Sequence, residues 1–154
     1  MIIDAHCHIM PDSFPKRHAE LSAIDATYAS LFPNPNPKMA TAEDLVKAMQ
    51  ETDVDRSVVM GMGWAKLKLA QEANDYINES IIKFPNQLTG FCSVNPTWGV
   101  EALTEMWRCA DAGLLGVGEL HPDTQEFDLT DKLALEPLMG AARELSWPGM
   151  VHAS

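Results

Sequence analysis

Short apolar runs alternate along this chain with stripes of apolar residues at helical spacing. Met1–His8 opens with an apolar run, ends on His6 and His8, and predicts a first strand. Ser57–Met60 is a β-branched run bounded by Gly61 and Gly63, and predicts a second, buried strand. Leu88–Val94, closed by Asn95 and Pro96, predicts a third; Leu114–Leu120 a fourth; and Pro148–Ser154 a fifth. Between them, Thr41 is a favourable N-cap with Asp44 three residues on, which opens a helix carrying Leu45 and Met49 and ending near Thr52. Leu69, Ala73, Ile77, Ile81 and Phe84 form a stripe that predicts a helix over Ala65–Phe84, stopped by Pro85. Val100, Leu103 and Trp107 mark a third helix with Gly113 as its left-handed stop. Pro137 predicts the start of a fourth, carrying Leu138, Ala141, Ala142 and Leu145.

One stretch interrupts this rhythm. Ile9–Ala40 holds five prolines, and Phe32–Pro37 cannot be helical because each proline removes a donor and restricts its predecessor. Lys16–Leu31 has room for a short helix. A connection this long is expected to be a lid or substrate loop, or else mobile. Arg17 and His18 lie in it and read as surface residues, and Trp64, just after the second strand, reads as a packed loop aromatic or a pocket wall.

The resulting order, β-α-β-α-β-α-β-α-β, implies a parallel sheet with right-handed crossovers. Two architectures satisfy it: an open doubly wound sheet, and the first part of an eight-stranded barrel. At 154 residues the chain suits a single domain over 1–154.

Composition narrows the function classes. Eleven basic against 22 acidic residues give a net charge of −11, which argues against nucleic acid and anionic membranes as partners and suits a site for cations. The cysteines, Cys7, Cys92 and Cys109, form no C-x-x-C pair and predict a reducing, cytoplasmic setting. Cys7, between the two histidines, is expected to pack on the opposite face. No basic-then-apolar leader precedes the first strand, and no run approaches the ~18 apolar residues of a membrane span.

The candidate chemistry sits at strand ends. His6 and His8 at i, i+2 share a strand face roughly 6.6 Å apart, close enough for two imidazoles to converge on one cation. In both architectures functional groups collect at the carboxyl ends of the strands. There stand His6 and His8 on the first strand, Glu119 on the fourth and His152 on the fifth. Alternation puts Leu115, Val117 and Glu119 on one face, and a carboxylate at the end of a buried strand is costly unless paired or bound to a cation. Asp4 lies on the face of His6 and either orients its imidazole or caps nearby backbone. His121, two residues past Glu119, either faces the same mouth or bonds to loop backbone. Gly116-x-Gly118 lacks the third glycine of a dinucleotide fingerprint, and no G-x-S-x-G elbow occurs.

Asp4-Ala5-His6-Cys7-His8 resembles the first-strand D-x-H-x-H signature of the amidohydrolase superfamily. Ala73-Asn74-Asp75-Tyr76, Lys83-Phe84-Pro85-Asn86 and Gly90–Pro96 are similar to its amidohydrolase-related branch of metal-dependent hydrolases and decarboxylases, as are Val117-Gly118-Glu119-Leu120 and Val151-His152-Ala153. The resemblance implies an α/β TIM-type (β/α) barrel, here incomplete, with about five parallel strands and four helices. It implies a divalent metal, zinc being the expected ion, held by His6, His8, Glu119 and His152. Glu119 and His152 would be the catalytic groups. The implied reaction is attack by metal-activated water on an amide, ester or lactone carbon of a small-molecule substrate. A decarboxylase of the same superfamily is the alternative. A further one is a half-barrel that only binds metal or assembles through its exposed sheet edges. The resemblance also implies a later-strand histidine and a last-strand aspartate that lie beyond Ser154, so activity is expected once a C-terminal half supplies them.

Overall fold

The computed structural model describes residues 1–152, so the last two positions of the predicted fifth strand lie outside the described residues. The strands are β1 Ile3–His8, β2 Arg56–Met60, β3 Leu88–Gly90, β4 Val117–Leu120 and β5 Gly149–Val151. β1 pairs with β2, β2 with β3 and β4 with β5, all in parallel. A bridge between Cys92 and Val117 joins the two sheets. There the Cys92 N–H donates to the Gly116 carbonyl, and the Gly118 N–H to the Cys92 carbonyl, each at 2.8 Å.

Spatial order therefore follows chain order from β1 to β5. A doubly wound sheet reverses its order partway, whereas a barrel does not. The open-sheet alternative falls, and the fold is an incomplete TIM-type α/β barrel.

The Ile9–Ala40 excursion is folded. It carries three short helices, α1 Ser13–Lys16, α2 His18–Ile24 and α3 Ala26–Leu31, where the sequence suggested one. They enclose a small core of Phe14, Leu21 and Tyr28 around Trp64, whose ring meets Phe14 edge-on at 5.5 Å and stacks on Tyr28 at 6.2 Å. Buried Asp25 fastens this cap to the barrel. Its carboxylate accepts from the Tyr28 N–H, capping α3, and from the N–H groups of Ala65 and Lys66 beyond β2. Trp64 is thus a core aromatic of the cap. His18 sits in the cap, with Nδ1 3.3 Å from the Tyr28 hydroxyl, and Arg17 pairs with Glu20 and Glu72 at the surface.

The crossover helices are α4 Ala42–Glu51, α5 Leu67–Lys83, α6 Val100–Asp111 and α8 Lys132–Glu144, with a four-residue α7, Pro122–Gln125, after β4. The Thr41–Asp44 pair forms the expected capping box on α4. Gly113, at φ +99, ends α6 as expected.

Four local expectations need correcting. α6 buries Ala102, Glu105, Met106 and Cys109, while Val100 is 77% exposed. The buried face carries a charge, which masked it: Glu105 is bonded by Asn74, Gln71 and Arg108 and so tolerates burial. α8 starts five residues before Pro137, because Asp131 caps the N–H groups of Leu133 and Ala134 and the apolar face carries the helix through the proline. β3 is regular only to Gly90 and its backbone pairing runs on through Phe91 and Cys92, but at Ser93, inside the predicted strand, the Asn74 carboxamide reaching from α5 takes both the N–H and the carbonyl. Leu115 lies outside β4 and is exposed, so the predicted alternation fails there, whereas Val117 and Glu119 are buried.

The main core packs Ile77, Leu88, Val94, Met106, Leu114, Val117 and Leu138 between the sheet and its helices. Cys92 and Cys109 are buried free thiols within it, and Cys7 packs half-buried against it, as expected. No helix among the described residues is long and apolar enough to cross a membrane.

Candidate metal centre

The parallel register brings the strand ends together. His8 lies opposite Met60 in the β1–β2 ladder, so the carbonyl of Gly61, one residue past β2, meets the His8 ring. Nδ1 of His8 is 2.7 Å from that oxygen. A carbonyl only accepts, so Nδ1 carries the hydrogen, and on a neutral ring Nε2 presents its lone pair.

That lone pair faces a carboxylate oxygen and a second imidazole nitrogen. His8 Nε2 is 3.4 Å from Oε2 of Glu119 and 3.0 Å from Nε2 of His6. His6 Nε2 is 3.6 Å from Glu119 Oε1, and Nδ1 of His152 is 3.0 Å from the same oxygen. Glu119 is 3% exposed. A buried carboxylate ringed by imidazole nitrogens needs positive charge among them. One proton joins only one pair of atoms, whereas a cation joins several. The donor set therefore fits a divalent metal with imidazole and carboxylate ligands.

Among the described residues two sets of donor atoms meet this test, His6, His8 and Glu119, and Glu119, His121 and His152, each within 4.8 Å of one another. Glu119 belongs to both. All four residues singled out from the sequence thus meet at one mouth.

His121 joins them, although sequence reasoning left its place open. Its ring stacks on His152 at 3.8 Å, and its Nε2 is buried without a hydrogen-bond partner. Burial lowers its pKa, the neighbouring His152 lowers it further, and the opposing pull of Glu119 and Asp123 is smaller. The signal was its position two residues past Glu119, the same spacing that relates His6 to His8.

Asp4 takes the backbone role: its Oδ1 accepts from the His6 N–H at 3.1 Å. That bond leads the causes that hold its carboxyl below the ordinary range. Cys7 faces away, its thiol pushed up to about 11 by burial and by Asp4.

A cavity of about 420 Å³ opens over the cluster. Its far wall is apolar and comes from the excursion: Met10, Leu31, Phe32 and Met39, with Lys38 as the cation among them. The proline-rich stretch is thus a pocket wall.

No curated protein sequence matches the chain. Solved structures with the same fold include the 5-carboxyvanillate decarboxylase of Novosphingobium aromaticivorans, complexed with manganese and 4-hydroxy-3-methoxy-5-nitrobenzoic acid. It is 18% identical, with a TM-score of 0.80 over 100% of this chain and 50% of that one. The 4-oxalomesaconate hydratase of Rhodopseudomonas palustris is 23% identical, with a TM-score of 0.71 over 100% of this chain and 52% of that one. A probable 2-pyrone-4,6-dicarboxylic acid hydrolase of Acinetobacter baumannii, with citric acid bound, is 18% identical, with a TM-score of 0.64 over 99% of this chain and 49% of that one. The chain spans about half the length of each. The barrel order and the strand-end histidines agree with a match of the Amidohydro_2 amidohydrolase family to residues 3–154, and the chain belongs to that family.

Proposed function

We propose that this chain is the metal-binding portion of a metal-dependent hydrolase acting on an amide, ester or lactone of a small molecule. The observation that carries the reading is the His8 Nε2 lone pair turned toward the Glu119 carboxylate, an arrangement that calls for a cation. His6, His8, Glu119 and His152 would hold the metal, with Glu119 shared between two ions where two bind. A divalent cation, when bound, supplies Lewis acidity that activates water and polarises a carbonyl.

The chain's own residues do the rest. Gly61 fixes the His8 ring through Nδ1. The His152–Glu119 contact at Nδ1 gives one hydrogen a defined place between ring and carboxylate. Phe32, Met10 and Met39 offer an apolar wall to the body of a substrate and keep bulk water from that side, and Lys38 offers an anionic substituent a partner. The cation is divalent; the imidazole-rich set suits zinc, and the manganese in the decarboxylase structure makes that ion the second choice to test.

Decarboxylation by the same centre is the second reading. Lys38 in the wall favours it, since a carboxylated substrate needs a cation apart from the metal, and so does the likeness to decarboxylases. Metal analysis of the wild type against the His6→Ala/His8→Ala double variant tests the centre. Equal metal content in both would end the reading. Turnover of lactones, amides and aromatic carboxylates, with a C-terminal half supplied, then separates hydrolysis from decarboxylation and both from a non-enzymatic metal-binding module.

A further inference from the structure

Beneath the histidine cluster lies a side chain that neither contacts the pocket nor belongs to the main core. Gln125, 2% exposed, ends the four-residue α7. Its Oε1 accepts from the backbone N–H of His121 at 2.8 Å. Its Nε2 donates to the carbonyls of Trp64 and Val94, each at 3.0 Å. Its own backbone carbonyl accepts from Asn95 Nδ2 at 3.3 Å. Trp64 follows β2, Val94 and Asn95 follow β3, and His121 follows β4. One carboxamide thus joins the loops that leave three successive strands at the end where the histidines gather.

The chemistry is demanding. The position needs two donors and an acceptor on one planar group, which among side chains of this length only glutamine supplies. The space is equally constrained. A Cβ on Gly63 would sit 2.4 Å from the His121 Cβ and 3.0 Å from Gln125 Oε1, so only glycine lets the β2 loop approach this closely.

Among the described residues the His121 Nε2 has no hydrogen-bond partner, and the ring lies flat against His152, whose Nδ1 contacts Glu119. Ring placement therefore follows backbone placement, and Gln125 sets the backbone. We infer that Gln125 is a positioning residue that acts through the His121 backbone to fix the stacked His121–His152 pair beside Glu119. The inference rests on the reading of that cluster as a cation site. A plain loop staple would stabilise the fold without governing the rings.

The test compares the full chain with Gln125→Met, which keeps volume and removes the hydrogen bonds, and with Gln71→Met as a control. Gln71 donates to Glu105 at 3.3 Å, away from the site. In the metal-free protein, imidazole ¹⁵N and ¹³C resonances of His121 and His152 should move in Gln125→Met while those of His18 stay. Zn²⁺ affinity by calorimetry should fall about 10- to 100-fold. The control should lower the thermal midpoint and leave both readings at wild-type values. If Gln125→Met does not fold, Gln125→Asn, which keeps the groups but falls short of their partners, is read the same way.

Unmoved His121 and His152 resonances in a folded Gln125 variant overturn the inference. So does unchanged Zn²⁺ affinity. Failure of the wild type to bind Zn²⁺ or Mn²⁺ would instead overturn the metal reading, and the ring resonances would still decide whether Gln125 places the two histidines.

Discussion

Nδ1 of His8 lies 2.7 Å from the carbonyl oxygen of Gly61, and that single contact decides what the opposite end of the ring offers. The hydrogen must sit on Nδ1, leaving Nε2 free to bind a cation. Long-range ¹H–¹⁵N spectra of the metal-free chain should show the neutral His8 ring with its hydrogen on Nδ1. Zn²⁺ should then shift Nε2 and leave the Nδ1 hydrogen in place. Removing the ring in His8→Ala should weaken Zn²⁺ binding by at least about 100-fold, more than the loss of an outer partner would. The opposite tautomer in the wild type would refute the assignment.

Glu119 exists at a cost to the fold. Its buried carboxylate faces three imidazoles, with nitrogens 3.0, 3.4 and 3.6 Å away. A buried charge that lacks a counter-ion weakens the fold, and a neutral isostere removes that cost. Glu119→Gln should therefore leave the metal-free chain as stable as the wild type or more stable, by about 1 kcal/mol in urea unfolding. Zn²⁺ affinity should drop by at least about 100-fold. A metal-free variant more than about 2 kcal/mol less stable would mean that Glu119 is structural.

Much of this was legible because periodicity reports burial. The Leu69–Phe84 stripe, the Thr41 cap and the short apolar runs each mark an element in the place where it forms. The four strand-end ligand candidates followed, since parallel strands deliver their ends to one side. What stayed hidden depends on side chains that replace backbone partners. Asn74 takes the backbone of Ser93, inside the predicted third strand, and Asp131 begins α8 ahead of a proline that reads as a start. Glu105 hides the true inner face of α6, because a paired carboxylate counts as polar in any pattern yet packs as core. The cap's fold depends on Asp25 reaching residues 40 positions away, which no local signal carries.

Glu105 also makes the fold sensitive to acid. Burial pushes its carboxyl up, but the hydrogen bonds from Arg108, Asn74 and Gln71 and the Arg108 charge outweigh that and hold it below its ordinary 4.5. A carboxyl depressed in the folded state contributes stability that is complete above its unfolded pKa and is lost as pH falls through the folded value. Stability from this group should be flat above about pH 5 and decline below 4.5. Glu105→Gln should cost about 2 kcal/mol at neutral pH and flatten the acid limb of the urea-midpoint profile. An unchanged acid limb would show that other carboxylates set it.

The free sheet edges make a last prediction. Among the described residues β1 pairs only with β2, and β5 only with β4, so each leaves a row of backbone donors and acceptors unpaired. Apolar surface adjoins the β1 edge, with Ile3 at the start of β1 and Met1 and Ile2 just before it all exposed. Opposing association is the net charge of −11, a repulsion that salt weakens, since the screening length falls from about 10 Å at 0.1 M to about 3 Å at 1 M. Light scattering on the 154-residue chain should therefore show mass rising with protein concentration, and more steeply at high salt. Ile3→Lys, which places a charge on the open strand, should shift the chain toward monomer at low salt. Because Ile3 is about half exposed, this change should alter the thermal midpoint little. A constant monomer mass across both series would show that neither edge recruits another copy, and the apolar residues at the start of the chain would then need another explanation.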